Sequence, residues 1–486
     1  MAPTSVDSIA TSPSTSRSGH AAAFEALLSR PAFWLAIQAL LFVGCVYRDW
    51  GFGCRMVEDS PSYFDLVEQR LLSVSTLAGI WTVGFPFFLR VLSRLNLIPY
   101  FGLCQSLCYI SAILVFHLGL RRVGFGGAVA TAAASTLFYL NVLIDRAGEI
   151  HPTLGLSDCL AFSLAIVSLS AVLTLSSNRG SRGDWALLCL GLFACCQVRP
   201  AFQFMLVLVP LLGVSLLRLL RGTVEFQACW KRHAAALVAA AWIPFLLFCT
   251  MRWAAVGQFG LVSLTGTCLG SLTGQFLRPQ LLEKIAPEQR PLAAEFLREL
   301  EKYPGYRCPV SGDHDVDVEL VATNYCALLS FVVPPLMERL HYREADRDAK
   351  LFALSMAILR ASPATYATWL RRAFAIAIAT GARDSIQNPM IVLLCLLVLA
   401  QRALGKAGGW SLTAGRGGAD PPLLLRVSVV LAAAFTLLDL ILVLSLQAPW
   451  NRYVRPAFAF WPMAAVSGLL CLLPLDSVRS REESAP

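Results

Sequence analysis

Three groups of polar residues stand out against an otherwise apolar chain. The first, Glu58-Asp59-Ser60-Pro61-Ser62-Tyr63, sets two adjacent carboxylates just beyond the first apolar run. Such a pair can serve as general base for an acceptor hydroxyl or as ligands of a divalent cation. The plain alternative is a solvated first helical turn whose acids complement the dipole. The second group is Asp145-Arg146-Ala147-Gly148-Glu149-Ile150-His151-Pro152, followed by Ser157-Asp158 at the mouth of a later apolar run. Ionisable residues at the edge of a membrane span are functional candidates, and Arg146 and His151 can hold phosphate oxygens through charge-assisted hydrogen bonds. A snorkelling Arg and a capping Asp are the bland readings. The third group is Trp450-Asn451-Arg452-Tyr453-Val454-Arg455-Pro456, where two Arg and a Tyr suit a diphosphate or phosphodiester headgroup. An aromatic belt with basic anchors has the same composition. Arg199-Pro200 adds a further cation at a tight turn.

These groups must be positioned by membrane-embedded elements. Of the 486 residues 56% are hydrophobic and only 15% charged, and the mean hydropathy is +0.62. A soluble chain carries close to a quarter charged residues, so the apolar excess must face lipid. The 33 Gly show no triplet period and the 15 Cys are too sparse for a disulfide scaffold. Residues 1–30, rich in Ser, Thr and Ala, read as a disordered tail. Apolar windows near the length that spans a bilayer then recur at 31–47, 98–120, 123–144, 158–176, 185–198, 201–217, 234–251, 389–404, 427–446 and 456–475. They predict an all-α polytopic membrane protein of about ten transmembrane helices.

Loop charge sets the orientation, because Lys and Arg concentrate on the cytoplasmic side. Arg17 and Arg30, Arg121-Arg122, Arg179 and Arg182, the set Arg218, Arg221, Lys231 and Arg232, then Arg402, Lys406, Arg416 and Arg426, and finally Arg479 and Arg481 all fall on one side. Both termini are then cytoplasmic. The other side receives 48–97, 145–157, the Arg199-Pro200 turn, 252–388 and 447–455. The net charge of +9 is in part this topology signal, with nucleic acid a secondary reading.

The chain accordingly divides into a tail (1–30), an N-terminal transmembrane module (31–251) carrying the first external loop (48–97), an external helical segment (252–388), C-terminal transmembrane helices (389–475) and a second tail (476–486). Within the first loop, 61–74 and 84–96 read as amphipathic helices lying in the interface, the first with Ser60 as N-cap and Pro61 at N1. The segment 252–388 shows helical patterns at 280–302, 324–349, 350–361 and 364–380, with 324–337 apolar enough for a re-entrant piece.

In order and sidedness these motifs resemble the GT-C superfamily of integral membrane glycosyltransferases, which includes the protein O-mannosyltransferases, the lipid A aminoarabinose transferase and bacterial relatives using polyprenyl-phosphate sugars. The resemblance rests on Glu58-Asp59-Ser60-Pro61-Ser62-Tyr63, Gly84-Phe85-Pro86, Gln105, Ser157-Asp158, Arg199-Pro200 and Arg452-Tyr453-Val454-Arg455-Pro456, and covers most of 31–252 and the last two spans. It implies an inverting transfer of a sugar from a polyprenyl-phosphate-linked donor to an extracytoplasmic acceptor, in a bacterial inner membrane. It matches Asp59 to the general base, although Glu58 precedes it where Asp-Glu is the usual order, so either carboxylate can fill that role. By the same resemblance Asp158 lies near acceptor or donor, and Arg146, Arg452 and Arg455 hold the lipid phosphate. The candidate substrate-binding set is completed by Glu149, His151, Arg199 and Tyr453. Adjacent carboxylates suit both metal-dependent and metal-free members, which leaves use of a divalent cation open.

Other signals are weaker. Asp313-His314-Asp315-Val316-Asp317-Val318-Glu319 lacks the Gly and the bidentate Glu of a calcium loop, with Val318 and Asn324 in their places, and reads as a solvated acidic loop. Most cysteines fall within spans, where they act as small apolar residues; Cys54, Cys308 and Cys326 are the candidates for external oxidation, with a Cys308–Cys326 bridge one conceivable outcome. The rival class is a polytopic transporter or lipid flippase, suggested by Asp439 inside the ninth window. No inverted repeat accompanies it, and the acids gather on one side of the membrane.

Overall fold

The computed structural model describes residues 30–57, 59–140, 151–177, 179–303, 316–342, 344–403, 421–448 and 454–472. Among these the architecture is all-helical, and the only extended pairing is one parallel bridge between Arg55 and Leu154. Six helical stretches are long and apolar enough to cross a membrane: Pro31–Asp49, Ile98–Val123, Asp158–Ser176, Pro200–Val256, Val318–Arg339 and Pro421–Leu446. A seventh results if Pro363–Ile386 and Pro389–Ala400, bent by 54°, form one broken span. The chain is a multi-pass α-helical membrane protein.

The helices that position the candidate residues begin with α1 (Pro31–Trp50), α2 (Ser60–Asp65), α3 (Val74–Ala78), α4 (Gly84–Arg94), α5 (Phe101–Val123) and α6 (Gly127–Ser135). Then come α7 (Asp158–Ser176), α8 (Arg182–Val198) and α9 (Met205–Val256). α7 is apolar around its whole circumference, and all its residues except Leu164 and Val167 are buried. A helix of that kind belongs inside a bundle, and α7 is packed between α5 and α8. The windows 201–217 and 234–251 lie on one helical stretch that bends at Gly222, whose φ of 72° is a left-handed conformation that glycine adopts without a Cβ penalty. Gly213 touches the Leu237 side chain, so the two arms run back along each other. The windows 123–144, 185–198, 389–404 and 456–475 fall on shorter helices.

The segment 48–97 is less helical than its pattern predicts. α2 ends at Asp65, and the guanidinium of Arg90 donates to the carbonyl oxygens of Val67 and Gln69, holding them in a turn outside any helix. Asp59 is the N-cap and Ser60 the first helical residue, its hydroxyl accepting from the Val57 amide at 3.0 Å. The reading of 84–96 matches α4, which buries Phe85, Pro86, Leu89 and Leu92 on one face.

Residues 252–388, expected to be external, contain α10 (Thr265–Thr273), α11 (Arg290–Glu301), α12 (Val318–Ala327), a π-helical turn (Leu328–Val332), α13 (Val333–Arg339), α14 (Glu344–Ala361) and α15 (Pro363–Ile386), and the stretch Val318–Arg339 among them is long and apolar enough to cross a membrane. α16 (Pro389–Ala403), α17 (Pro421–Leu446) and α18 (Trp461–Leu470) complete the described chain. Apolar side chains form two cores. The larger belongs to the transmembrane helices. The second joins α10–α15 to the end of α17 and includes Phe276, Phe296, Tyr325, Trp369 and Val443. Asp317 of the acidic loop is the N-cap of α12, accepting from Leu320 N at 3.0 Å. Cys308 and residues 313–315 lie outside the described residues.

Candidate active site

The segments 48–97 and 151–157 are fastened to each other. Arg55 N donates to Thr153 O at 2.7 Å and Gly155 N to Arg55 O at 2.9 Å. Gln105 of α5 supports the second loop from below, its Nε2 reaching Leu154 O at 3.4 Å and Leu156 O at 3.2 Å. The carboxylate-bearing turn at Asp59 and the loop leading to Asp158 therefore share one end of the bundle.

α8 delivers a cation to the same place. A residue before proline avoids the helical region, and Arg199, at φ −148° and ψ 113°, ends α8 ahead of Pro200. Its Nη1 donates to Asp158 Oδ2 at 2.7 Å and sits 3.4 Å from Ser157 Oγ. Tyr63 OH is also 3.4 Å from Ser157 Oγ, a long contact that continues the chain of polar groups toward α2. Asp158 and Arg199 are 4% and 8% exposed. Asp439, buried in α17, is within electrostatic reach of Arg199.

Arg199 and Tyr63 border a cavity of about 480 Å³. Its wall includes Asp59 and Tyr63 from α2, Ile80 and Trp81 from the turn after α3, Leu154 and Leu156, and the Arg199–Ala201 corner. α10 contributes Cys268, α12 and the π-helical turn contribute Tyr325, Cys326 and Leu329, and Gln447 closes the lining beyond α17. Volumes of roughly 300–1,000 Å³ with an apolar lining and a few convergent polar groups are the usual form of a small-molecule site.

Of the candidate residues, the structure gathers Asp59, Asp158 and Arg199, with Asp59 and Arg199 in the lining itself. His151 is absent from that lining. It is 2% exposed, and its Nδ1 accepts from Thr153 N at 3.3 Å and lies 2.9 Å from Thr153 Oγ1. Burial pushes its pKa down to about 4, so at neutral pH it is an uncharged imidazole and not a phosphate-binding cation. Arg455 is also absent from the lining: its Nε is 2.8 Å from Asp384 Oδ2, close enough for an ion pair but not aligned as a hydrogen bond. Glu58, Arg146, Glu149, Arg452 and Tyr453 lie outside the described residues. Among the described residues no group of three or more His, Cys, Asp or Glu is placed to hold a metal ion.

Trp81, Tyr325 and Gln447 were not singled out by sequence. Aromatic and amide side chains are common throughout such a chain, and nothing in their spacing marks them. The turn carrying Trp81 is fixed from two sides. Arg252, 1% exposed, donates to Leu77 O at 2.6 Å and to Gln258 Oε1 and Ser263 Oγ, both at 2.7 Å. Gly84 lies directly on the end of α8, where a Cβ would meet the Gln197 carbonyl at 2.5 Å.

Compared with known proteins, the chain matches no family model, no curated protein and no solved structure.

Proposed function

We propose that the protein is an inverting glycosyltransferase of GT-C type, which moves a sugar from a polyprenyl-phosphate-linked donor to an acceptor on the extracytoplasmic side of a bacterial inner membrane. The observation that carries this reading is that Asp59 and Arg199, 140 residues apart in sequence, line one cavity. In this reading the chain crosses about ten times, with both termini cytoplasmic. An acceptor hydroxyl gives its proton to Asp59 as its oxygen attacks the anomeric carbon. The bond from that carbon to the phosphate oxygen breaks, and its electron pair leaves on the phosphate. A positioned base typically contributes about 10²–10⁴-fold to such a step.

Arg199 is already paired with Asp158. Within the proposal the pair shapes the cavity, and the phosphate is held by Arg146, Arg452 and Tyr453. Glu58 stands beside the base as a second carboxylate. The test is purified protein in liposomes supplied with a radiolabelled polyprenyl-phosphate-linked hexose and a membrane extract as acceptor source. Label moving into a new product supports transfer; label or solute crossing the bilayer unchanged supports the transporter or flippase alternative.

A further inference from the structure

Trp81 is held as a platform in the cavity wall. Its ring centroid is 4.5 Å from that of Tyr63. Tyr63 in turn meets Phe85 edge-on at 4.9 Å, and Phe85 meets Phe101 at 6.4 Å. Tyr63, Phe85 and Phe101 are buried, whereas Trp81 is half-buried, with the cavity on its open side. With three buried rings behind it and the turn fixed by Arg252 and Gly84, the indole cannot withdraw.

The same lining carries the Asp59 carboxylate. Gln447 also contributes to the wall, with its Nε2 3.9 Å from Cys268 Sγ and its Oε1 closed off from solvent. The face of an aromatic ring carries negative charge density, so it attracts polarised C–H groups lying over it. A ligand with C–H groups on one face and hydroxyls around its edge fits this combination.

We propose that Trp81 is the platform on which the hexopyranose ring of the substrate lies. The proposal rests on the glycosyl-transfer reading for its biological meaning, and its binding test stands apart from catalysis. The probes are methyl β-galactopyranoside, methyl α-mannopyranoside and methyl β-glucopyranoside, with open-chain sorbitol as control, each added to the full-length protein in lipid nanodiscs. Saturation-transfer NMR is expected to label ring C–H protons of at least one glycoside and none of sorbitol. Affinity should fall roughly tenfold in Trp81→Leu and fall less in Trp81→Phe. Thermal unfolding of both Trp81 variants near the parent midpoint shows that the loss is local; if Trp81→Leu does not fold, Trp81→Phe carries the comparison. No labelling of any glycoside, or labelling unchanged in the Trp81 variants, overturns the proposal. Trp81-dependent binding in a protein that transfers no sugar keeps the platform and removes the transferase reading; transfer indifferent to Trp81 does the reverse.

Discussion

Arg199 Nη1 stands 2.7 Å from Asp158 Oδ2, joining the end of α8 to the first turn of α7 with both side chains almost fully buried. Removing one member of such a pair strands a charge in a poorly solvated place and typically costs about 3–5 kcal/mol. Arg199→Met and Asp158→Asn are each expected to lower the thermal unfolding midpoint in detergent. The double variant should lose less than the sum of the two, because neither charge is then left behind. Strict additivity would show that the two side chains act independently.

His151 makes stability depend on pH. Its folded pKa of about 4 lies below its ordinary 6.5, so between these values the unfolded chain binds a proton that the folded protein does not. Stability from this group is complete above about pH 6.5 and falls as pH drops toward 4, by about 2 kcal/mol at pH 5. Unfolding midpoints compared at pH 7.5 and 5 should show this loss in the parent, and a smaller one in His151→Asn. An equal loss in both would assign the pH dependence to other groups.

Gly84→Ala should be costly for a residue of small volume change. The new methyl would press on the backbone of Gln197 and Val198, which a rotamer change cannot relieve. Overpacking of this kind costs about 1–3 kcal/mol, and here it would also push the Trp81 turn off the Arg199 corner. The measurement is the unfolding midpoint of Gly84→Ala beside that of Gly102→Ala, where the nearest contact is the Thr153 methyl, the far end of a side chain. A larger loss at Gly102 would place the tighter joint elsewhere.

The all-helical, multi-pass class could be read from hydropathy, because a bilayer demands long apolar runs. The acids of α2 and α7 and the cation at Arg199 were visible for the same reason: charge is conspicuous in an apolar chain. Their pairing was not, since spacing along the chain does not tell that Arg199 meets Asp158 across two helices. The amphipathic pattern of 61–74 ignored Arg90, whose hydrogen bonds to the Val67 and Gln69 carbonyls end α2 at Asp65. His151 looked like a cation beside Arg146 until its burial behind Thr153 was seen. Trp81 and Gln447 became visible only through the cavity they line.

The central claim is that Asp59 is the base of a sugar-transfer reaction, and the most direct measurement is the initial rate of transfer from a polyprenyl-phosphate-linked hexose by purified parent, Asp59→Asn and Glu58→Gln proteins. The account predicts that Asp59→Asn lowers the rate by about 10²–10⁴-fold while the protein stays folded. Full activity in both variants would contradict it.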